Sequence, residues 1–509
     1  MNERTLTKSA AYGVTWSGIV QVLSQTFSFI STIVLARLLS PEDFGVVATA
    51  GIVTELLSRM GDMGFSTAII QRKKITPSHL STVFWAALAL GVVFCLTTVG
   101  ISPLAAKFFN NEKIGPILAV YSIGFIIAPL RMVHGSLMMK RLEFFRFSVC
   151  EVGNGIGYAL AVIALALAGF GVWSLVLGYL ISQILYAVLR WSLSHWRPSF
   201  TFSINSLKDL WGFGANVTGS TIVQYVIDKL DYLIVGKFLA VVSLGIYSMS
   251  YKVVNMISNA ISASVSAVSF TTFSIVQDDN ERLRRGFLKS TAYISLIAIP
   301  SFAGLAILGP EVIRVAFGLK WELAIRPMQV LCIMAILNSI GITAGSVAVS
   351  KGRPDIGLKF NIVRLILLIP TLLFGVRFGA MGVAAGVSAV TAIIWLVYQI
   401  VVNRLIGLNI KKYLTTLYPA IFGTVIMAMV LFAYRYVATH LFTLPEVGLL
   451  ASSVVLGACV YFATLKATKT KSLNEVIGLL REIARPYLRP IGLKLGLWRR
   501  ETIHVADDK

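Results

Sequence analysis

Acidic residues are the scarcest charged class in this chain: 23 Asp and Glu among 509 residues, against 45 Lys and Arg. Charged side chains of both signs make up only 13%, where a soluble domain carries about 25%. A water-solvated globule is therefore excluded. Cysteine is nearly absent as well. Cys95, Cys150, Cys332 and Cys459 lie singly in apolar segments, without a Cys-x-x-Cys spacing or a Cys/His cluster, which argues against a disulfide framework and a structural zinc site. There is no Walker A motif for direct ATP drive, no His-Glu-x-x-His and no nucleophile elbow. No Gly-x-Gly-x-x-Gly turn opens a soluble βαβ unit, and no connection is long enough for a soluble domain. Residues 1–10 are polar and lead into a run too long for a signal-peptide core, so no cleavable signal peptide is expected. No cofactor is expected either.

What is present is apolar. Hydrophobic residues are 56% of the chain and the mean hydropathy is +0.80. Runs of about 20 apolar residues, enough to span a bilayer, recur from end to end. They predict an all-α polytopic membrane protein with about 14 transmembrane helices: 11–39, 42–70, 81–103, 116–139, 148–169, 171–193, 211–239, 243–272, 288–310, 326–349, 359–377, 380–406, 415–438 and 446–465. The runs lack the alternation of a lipid-facing strand, which favours helices over a barrel. The net charge of +22 resembles a nucleic-acid footprint only until it is mapped. Most of the Lys and Arg fall in the N-terminal tail, the even-numbered loops and the C-terminal tail. That is the positive-inside distribution, with both termini cytoplasmic, and it leaves no reason to invoke nucleic acid.

The chain repeats itself. Residues 36–48 return as residues 236–248, an offset of 200 that places Arg37 on Lys237, Leu39 on Leu239, Phe44 on Leu244 and Gly45 on Gly245. A second echo aligns Phe170, Gly171 and Gly178 with Phe378, Gly379 and Gly386 at an offset of 208. Two echoes in the same order imply a duplicated unit of roughly 200 residues. The expected organisation is a six-helix lobe over residues 1–200, a second over 201–410, two further helices over 411–466 and a basic cytoplasmic tail over 467–509. In that tail Leu473, Val476, Ile477, Leu480, Ile483, Ala484 and Tyr487 recur at helical spacing until Pro486 and Pro490, which reads as an amphipathic helix on the membrane surface. At the first turn Ser40 reads as a helix N-cap with Pro41 behind it and Glu42 and Asp43 at the positive helix end. The basic cytoplasmic connections, such as Arg72-Lys73-Lys74 and Lys140-Arg141, read as topology determinants, with anionic lipid binding as a minor alternative.

Ionisable residues inside the spans are the candidate site, because burying them in lipid is costly. Glu55, Arg59 and Asp62 share one face of the second span, and Asn255 and Asn259 take the places of Glu55 and Arg59 in the second copy. Arg131 and His134, then Asp228, Lys229 and Asp231, then Lys252 and Arg364 follow. One reading is internal pairing, Glu55 with Arg59 and Asp231 with Lys252. The other is a cationic cavity, since Arg59, Arg131, Lys252 and Arg364 outnumber the deep carboxylates that could neutralise them comfortably. Such a cavity suits an anionic headgroup, with Asp228 and Asp231 as candidates for Na⁺ or H⁺ coupling.

The early Ala-Arg-Leu-Leu-Ser-Pro-Glu-Asp-Phe-Gly stretch, Gly-Asp-Met-Gly-Phe-Ser-Thr-Ala-Ile-Ile-Gln-Arg-Lys at residues 61–73 and Gly-Phe-Gly-Val-Trp-Ser-Leu-Val-Leu-Gly at residues 169–178 carry a resemblance. Over residues 1–465 the chain resembles the polysaccharide-transport branch of the MOP exporter superfamily, and within it the Wzx-type, WzxC-like lipid-linked oligosaccharide flippases. The resemblance implies two lobes around a central cavity and alternating access. The cargo it implies is an oligosaccharide on undecaprenyl pyrophosphate, passed across the bacterial inner membrane for lipopolysaccharide or exopolysaccharide synthesis, with polysaccharide polymerase machinery as a downstream partner. A working monomer is expected, because the repeat already supplies both lobes. Two alternatives stand beside this reading. An ion-coupled multidrug exporter of the same superfamily has twelve spans and an acidic cavity; a membrane glycosyltransferase or ligase needs a larger external loop.

Overall fold

The computed structural model describes residues 25–275, 279–440, 445–468 and 475. The first part of the opening span and nearly all of the expected tail helix lie outside these residues. Among the described residues the regular structure is entirely helical. A first helix, α1, covers Gln25–Leu38. Then follow α2 (Pro41–Asp62), α3 (Phe65–Gln71), α4 (Pro77–Phe108), α5 (Ile114–Tyr121), α6 (Gly124–Lys140), α7 (Phe144–Leu167) and α8 (Val172–Leu193). The second half holds α9 (Ile204–Phe238), α10 (Val241–Ile275), α11 (Asn280–Ile307), α12 (Gly309–Ala316), α13 (Ile325–Ser350), α14 (Pro354–Gly375) and α15 (Gly379–Leu405). The last two are α16 (Ile410–His440) and α17 (Glu446–Ala467), which pack on each other and, through α16, on α11. Among the described residues ten stretches are long and apolar enough to cross a membrane, one of them the run Pro354–Leu405 that contains α14 and α15. The chain is a multi-pass membrane protein.

Local chemistry sets the helix starts. Ser40 caps α2, and Ser40 and Asp43 form a reciprocal capping box with Pro41 at the first helical position, as the sequence predicts. Thr76 and His79 repeat the device at α4. At α11 the cap is Asp279, which accepts from the backbone N–H groups of Glu281 at 2.9 Å and Arg282 at 3.0 Å. Those bonds hold the Asp279 carboxyl below the ordinary carboxylate range. Three expected spans are interrupted. The second breaks at Met63 and Gly64, both left-handed, to give α2 and α3. The fourth is divided at Ser122 and Ile123 into α5 and α6, and the ninth continues past Leu308 as α12.

The two sequence echoes are two packing devices. Gly171 and Gly379 sit at φ +54° and +71°, the conformation each helical hairpin needs to turn from α7 into α8 and from α14 into α15. The first echo makes the crossing of α2 and α10. A methyl group on Gly45 would overlap the Val241 carbonyl, and one on Gly245 would overlap the Pro41 carbonyl. Pro41 and Val241 are themselves 200 residues apart, so the two helices meet about a local two-fold axis.

Around this crossing the polar contacts are reciprocal too. Arg37, ending α1, donates to the carbonyls of Val315 and Ala316 at the C-terminus of α12, the latter at 3.1 Å. Lys237, ending α9, donates to the Phe108 carbonyl at the C-terminus of α4, at 2.6 Å. Phe108 and Ala316 are 208 residues apart, the offset of the second echo. Each basic side chain thus reaches the negative end of a helix from the opposite half of the chain. Lys320 Nζ adds bonds to the carbonyls of Arg37 and Leu39, and the buried Trp321 donates from Nε1 to Ala36 at 2.9 Å while packing edge-on against Phe44.

Candidate functional site

Beyond the α2–α10 crossing, α1, α2, α9 and α10 diverge and enclose a cavity of about 620 Å³. Its polar lining includes Glu55 and Ser58 of α2, Lys229 of α9 and Lys252, Asn255 and Asn259 of α10, with Gln25, Ser28 and Thr32 from α1. Glu55 pairs with Lys229 at 3.2 Å, across helices. Lys252 has no carboxylate partner among the described residues; its ammonium stands 5.9 Å from the Phe44 ring. A cavity with Glu55, Lys229 and Lys252 in its wall therefore carries one cation in excess. On the side of α5 and α8 the wall is aromatic, with Tyr121 and Tyr179 stacked at 4.7 Å.

The remaining expected residues occupy adjoining spaces. Arg59 lines a pocket of about 340 Å³ that shares Glu55 and Ser58 with the main cavity, and its guanidinium lies 5.1 Å from the centre of the Tyr225 ring. Asp228, Asp231 and Arg364 meet in a pocket of about 290 Å³ between α9, α10, α13 and α14, which shares Lys229, Tyr232 and Asn255 with the main cavity. Arg131 lies in a side chamber of about 380 Å³ among α2, α4, α6 and α8, whose wall includes Ser58, Phe125 and Tyr179 of the main cavity. The structure thus brings Glu55, Lys252, Asn255 and Asn259 together and distributes Arg59, Arg131 and Arg364 over adjoining spaces.

Neither expected internal pair forms. Glu55 takes Lys229 in place of Arg59, because α9 packs along the face of α2 that both residues share. Asp231 is buried and accepts from the Tyr247 hydroxyl at 2.8 Å and from the Tyr232 N–H at 2.9 Å, which leaves Lys252 without it. Asp228 accepts from Gln224 at 3.0 Å, and Gln224 in turn accepts from Asn361 of α14 at 3.2 Å. His134 is buried against Trp191 and Trp196 with neither ring nitrogen hydrogen-bonded. No group of three or more His, Cys, Asp or Glu converges among the described residues.

Sequence reasoning placed Lys229 among the deep charges without giving it a partner or a role, and it missed Arg190. Arg190 is buried near the end of α8, paired with Glu151 of α7 at 3.1 Å and bonded to the Tyr186 hydroxyl. Its signal was a lone arginine four residues after a tyrosine within an apolar helix. The proximity of the helix end disguised it as a snorkelling residue.

A polar, net cationic cavity between two repeat-related halves is a transporter's arrangement, and the sequence comparison agrees. The profile of the family described as "Polysaccharide biosynthesis protein" matches residues 34–326, more than half of the chain. The chain belongs to that family. The match runs from the end of α1 to the start of α13 and so takes in the α2–α10 crossing and the main cavity's wall from α2 onward. This polysaccharide biosynthesis family member is 29% identical over 423 residues to the lipopolysaccharide biosynthesis protein WzxC of Escherichia coli K12, covering 81% of this chain and 85% of that protein. It is 29% identical over 482 residues to the teichuronic acid biosynthesis protein TuaB of Bacillus subtilis 168, covering 92% and 99%. Among solved structures, the lipid II flippase MurJ in an inward closed conformation matches with a TM-score of 0.76 at 16% identity, over 90% of this chain and 99% of that one. An inward-facing multidrug resistance transporter of the MATE family, in the MOP superfamily, matches with a TM-score of 0.62 at 16% identity, over 77% and 98%. At these identities the structural likeness shows the fold alone, and the fold is of the MOP transporter type.

Proposed function

We propose that this protein carries a polyprenyl-pyrophosphate-linked oligosaccharide from one leaflet of the bacterial cytoplasmic membrane to the other, for assembly of a surface or secreted polysaccharide. The observation that carries the reading is the unpaired Lys252 in a polar cavity bounded by both halves of the duplicated chain. A compact cation in a space with several uncharged hydrogen-bonding side chains suits a pyrophosphate with sugars attached. Family membership supports the same reading, as do the names of the relatives, which include a probable glycan biosynthesis flippase of Haloferax volcanii.

Fourteen membrane helices account for the chain. Eleven come from the ten apolar stretches once Pro354–Leu405 is divided at Gly379, and α1, α9 and α10 complete the set. The α9 helix escapes a purely apolar criterion because it carries Asp228, Lys229 and Asp231. With the termini cytoplasmic, the crossing at Pro41 and Val241 lies at the periplasmic end, and α2–α8 and α9–α15 form two lobes that rock about it. Arg37 and Lys237 are then the two halves of one latch, which must release both helix ends for the cavity to open outward. Asp228 and Asp231 opposite Arg364 are the place where Na⁺ or H⁺ would couple to that motion. The protein works as a monomer and hands its product to a polymerase.

Gene disruption followed by lipid extraction and sidedness labelling tests the reading. Complete oligosaccharide-lipid should accumulate on the cytoplasmic face while surface polysaccharide disappears. Truncated sugar chains would point to an enzyme, and unchanged glycolipids with new drug sensitivity to an exporter; either outcome overturns the proposal.

A further inference from the structure

The side chamber around Arg131 does not repeat the chemistry of the main cavity. Arg131 and Arg190 lie over the same tyrosine ring, their guanidinium carbons 4.7 and 4.4 Å from the centre of Tyr186. Glu151 neutralises only one of them: it pairs with Arg190 and accepts from the Tyr186 hydroxyl. Arg190 is fixed further by the Phe147 ring at 4.9 Å and by a bond to the Arg131 carbonyl at 3.3 Å. Gly135 makes this arrangement possible, since a methyl group there would occupy the position of the Arg190 guanidinium. Arg131 is left without a carboxylate among the described residues, and its Nε is buried with no hydrogen-bond partner. A guanidinium so placed is an unspent donor fork facing a space of about 380 Å³, within the range of small-molecule sites at about 300–1,000 Å³.

The rest of the chamber is uncharged except for Asp62, whose carboxylate accepts from the Ser66 hydroxyl on the wall formed by α2 and α3. Ser58 and Ser136 add hydroxyls, while Phe94, Phe125 and Tyr179 supply flat apolar faces. One unpaired guanidinium matches one negative charge. A carboxylate and hydroxyl groups opposite it match the hydroxyls of a sugar, and aromatic faces match its C–H surfaces.

Resting on the transport reading above, we propose that this chamber receives an acidic sugar of the cargo. Arg131 would hold the sugar carboxylate while the pyrophosphate stays with Lys252 in the main cavity. The transported glycan is then a uronate-bearing or similarly carboxylated one, and Arg131 is a specificity-determining residue.

Thermal unfolding of the purified full-length chain, titrated with three probes, tests this. D-glucuronate should stabilise the protein with an apparent Kd about tenfold tighter than D-glucose or the neutral isostere D-glucuronamide, the usual effect of one charged hydrogen-bonded contact. Arg131→Gln should erase the difference and Arg131→Lys restore part of it. Lys252→Gln should leave the glucuronate preference intact and weaken stabilisation by undecaprenyl pyrophosphate. If the wild type treats glucuronate and glucuronamide alike, the inference is wrong, and that comparison requires no variant to fold. It is also wrong if native mass spectrometry finds that Arg131→Gln loses a retained phosphatidylglycerol while the glucuronate preference persists, because the chamber then holds a lipid headgroup. Failure of undecaprenyl pyrophosphate to stabilise the wild type would instead strike at the transport reading.

Discussion

Lys252 and Arg131 share a condition that a sequence does not display: each is a deep cation whose nearest acids are committed elsewhere. The i, i+4 spacing of Glu55 and Arg59 predicted a pair on one helix, but a common face also exposes both residues to whatever packs against it. That neighbour is α9, and Lys229 reaches Glu55 from it. Asp231 was likewise counted as a partner for Lys252 before Tyr247 claimed it. The identities of the site residues were thus legible, while their partners depended on side-chain directions across helices. At this scale Lys252→Gln should abolish polysaccharide export and leave the amount of protein in the membrane unchanged, as immunoblotting of membrane fractions would register. Lys252→Arg, which keeps the charge, should retain some export. Trp321→Ala removes a fully buried ring and a bond to the Ala36 carbonyl, so a loss of about 3–5 kcal/mol is expected. A fall in thermal unfolding temperature checks it.

The helices and their hairpins were read closely from apolar run length, and most ends agree within a few residues. What run length cannot reveal is an interruption that leaves the apolar pattern intact. The second span looked continuous because Met63 and Gly64 fit a hydrophobic run, yet both adopt positive φ and turn α3 away from α2. The repeat was visible as an alignment of Gly45 with Gly245 and Arg37 with Lys237. That the two glycines meet each other, and that the two basic residues each reach a helix end in the other half, was not, since an internal echo specifies equivalent places and not adjacent ones. Two predictions belong here. Gly45→Leu or Gly245→Leu should prop α2 and α10 apart, because the opposing atoms are backbone and cannot move aside. In a Cys459→Ser background, which removes the exposed native thiol, Ser248→Cys beside the crossing should react slowly with a membrane-impermeant maleimide added outside. Adding Arg37→Gln and Lys237→Gln together should speed that reaction several-fold, and an unchanged rate would remove the latch from the mechanism.

Across the whole molecule, polar contacts tie the last helices to the repeat, among them Glu446 of α17 with Arg314 of α12 at 3.5 Å. Arg435 of α16 pairs with the buried Glu311 of α12 at 2.7 Å and donates to the Ile307 carbonyl. On the other side Tyr461 of α17 donates to the Leu296 carbonyl at 2.9 Å. Composition announced a membrane protein, and long apolar runs without strand alternation made it a helical one. The attachment of α16 and α17 to α11 left no trace in spacing or repeats, as these helices have no counterpart in the first half. Glu311→Gln should therefore uncouple α16 from α12 and lower the unfolding temperature, since breaking a buried ion pair leaves Arg435 uncompensated. Reporter fusions at the N-terminus and after Ala467 should both register the cytoplasmic side; opposite readings would contradict the fourteen-helix count.

Main-chain carbonyls are the acceptors on both sides of the Arg37 and Lys237 contacts. A latch built from carboxylates would loosen in acid surroundings, as its acceptors gained protons near pH 4. A carbonyl at a helix end has no such proton to gain. With the crossing on the outer side, as proposed, a bacterium whose surface meets acid would keep this seam shut by the same bonds that close it at neutrality, without an acid-adapted sequence.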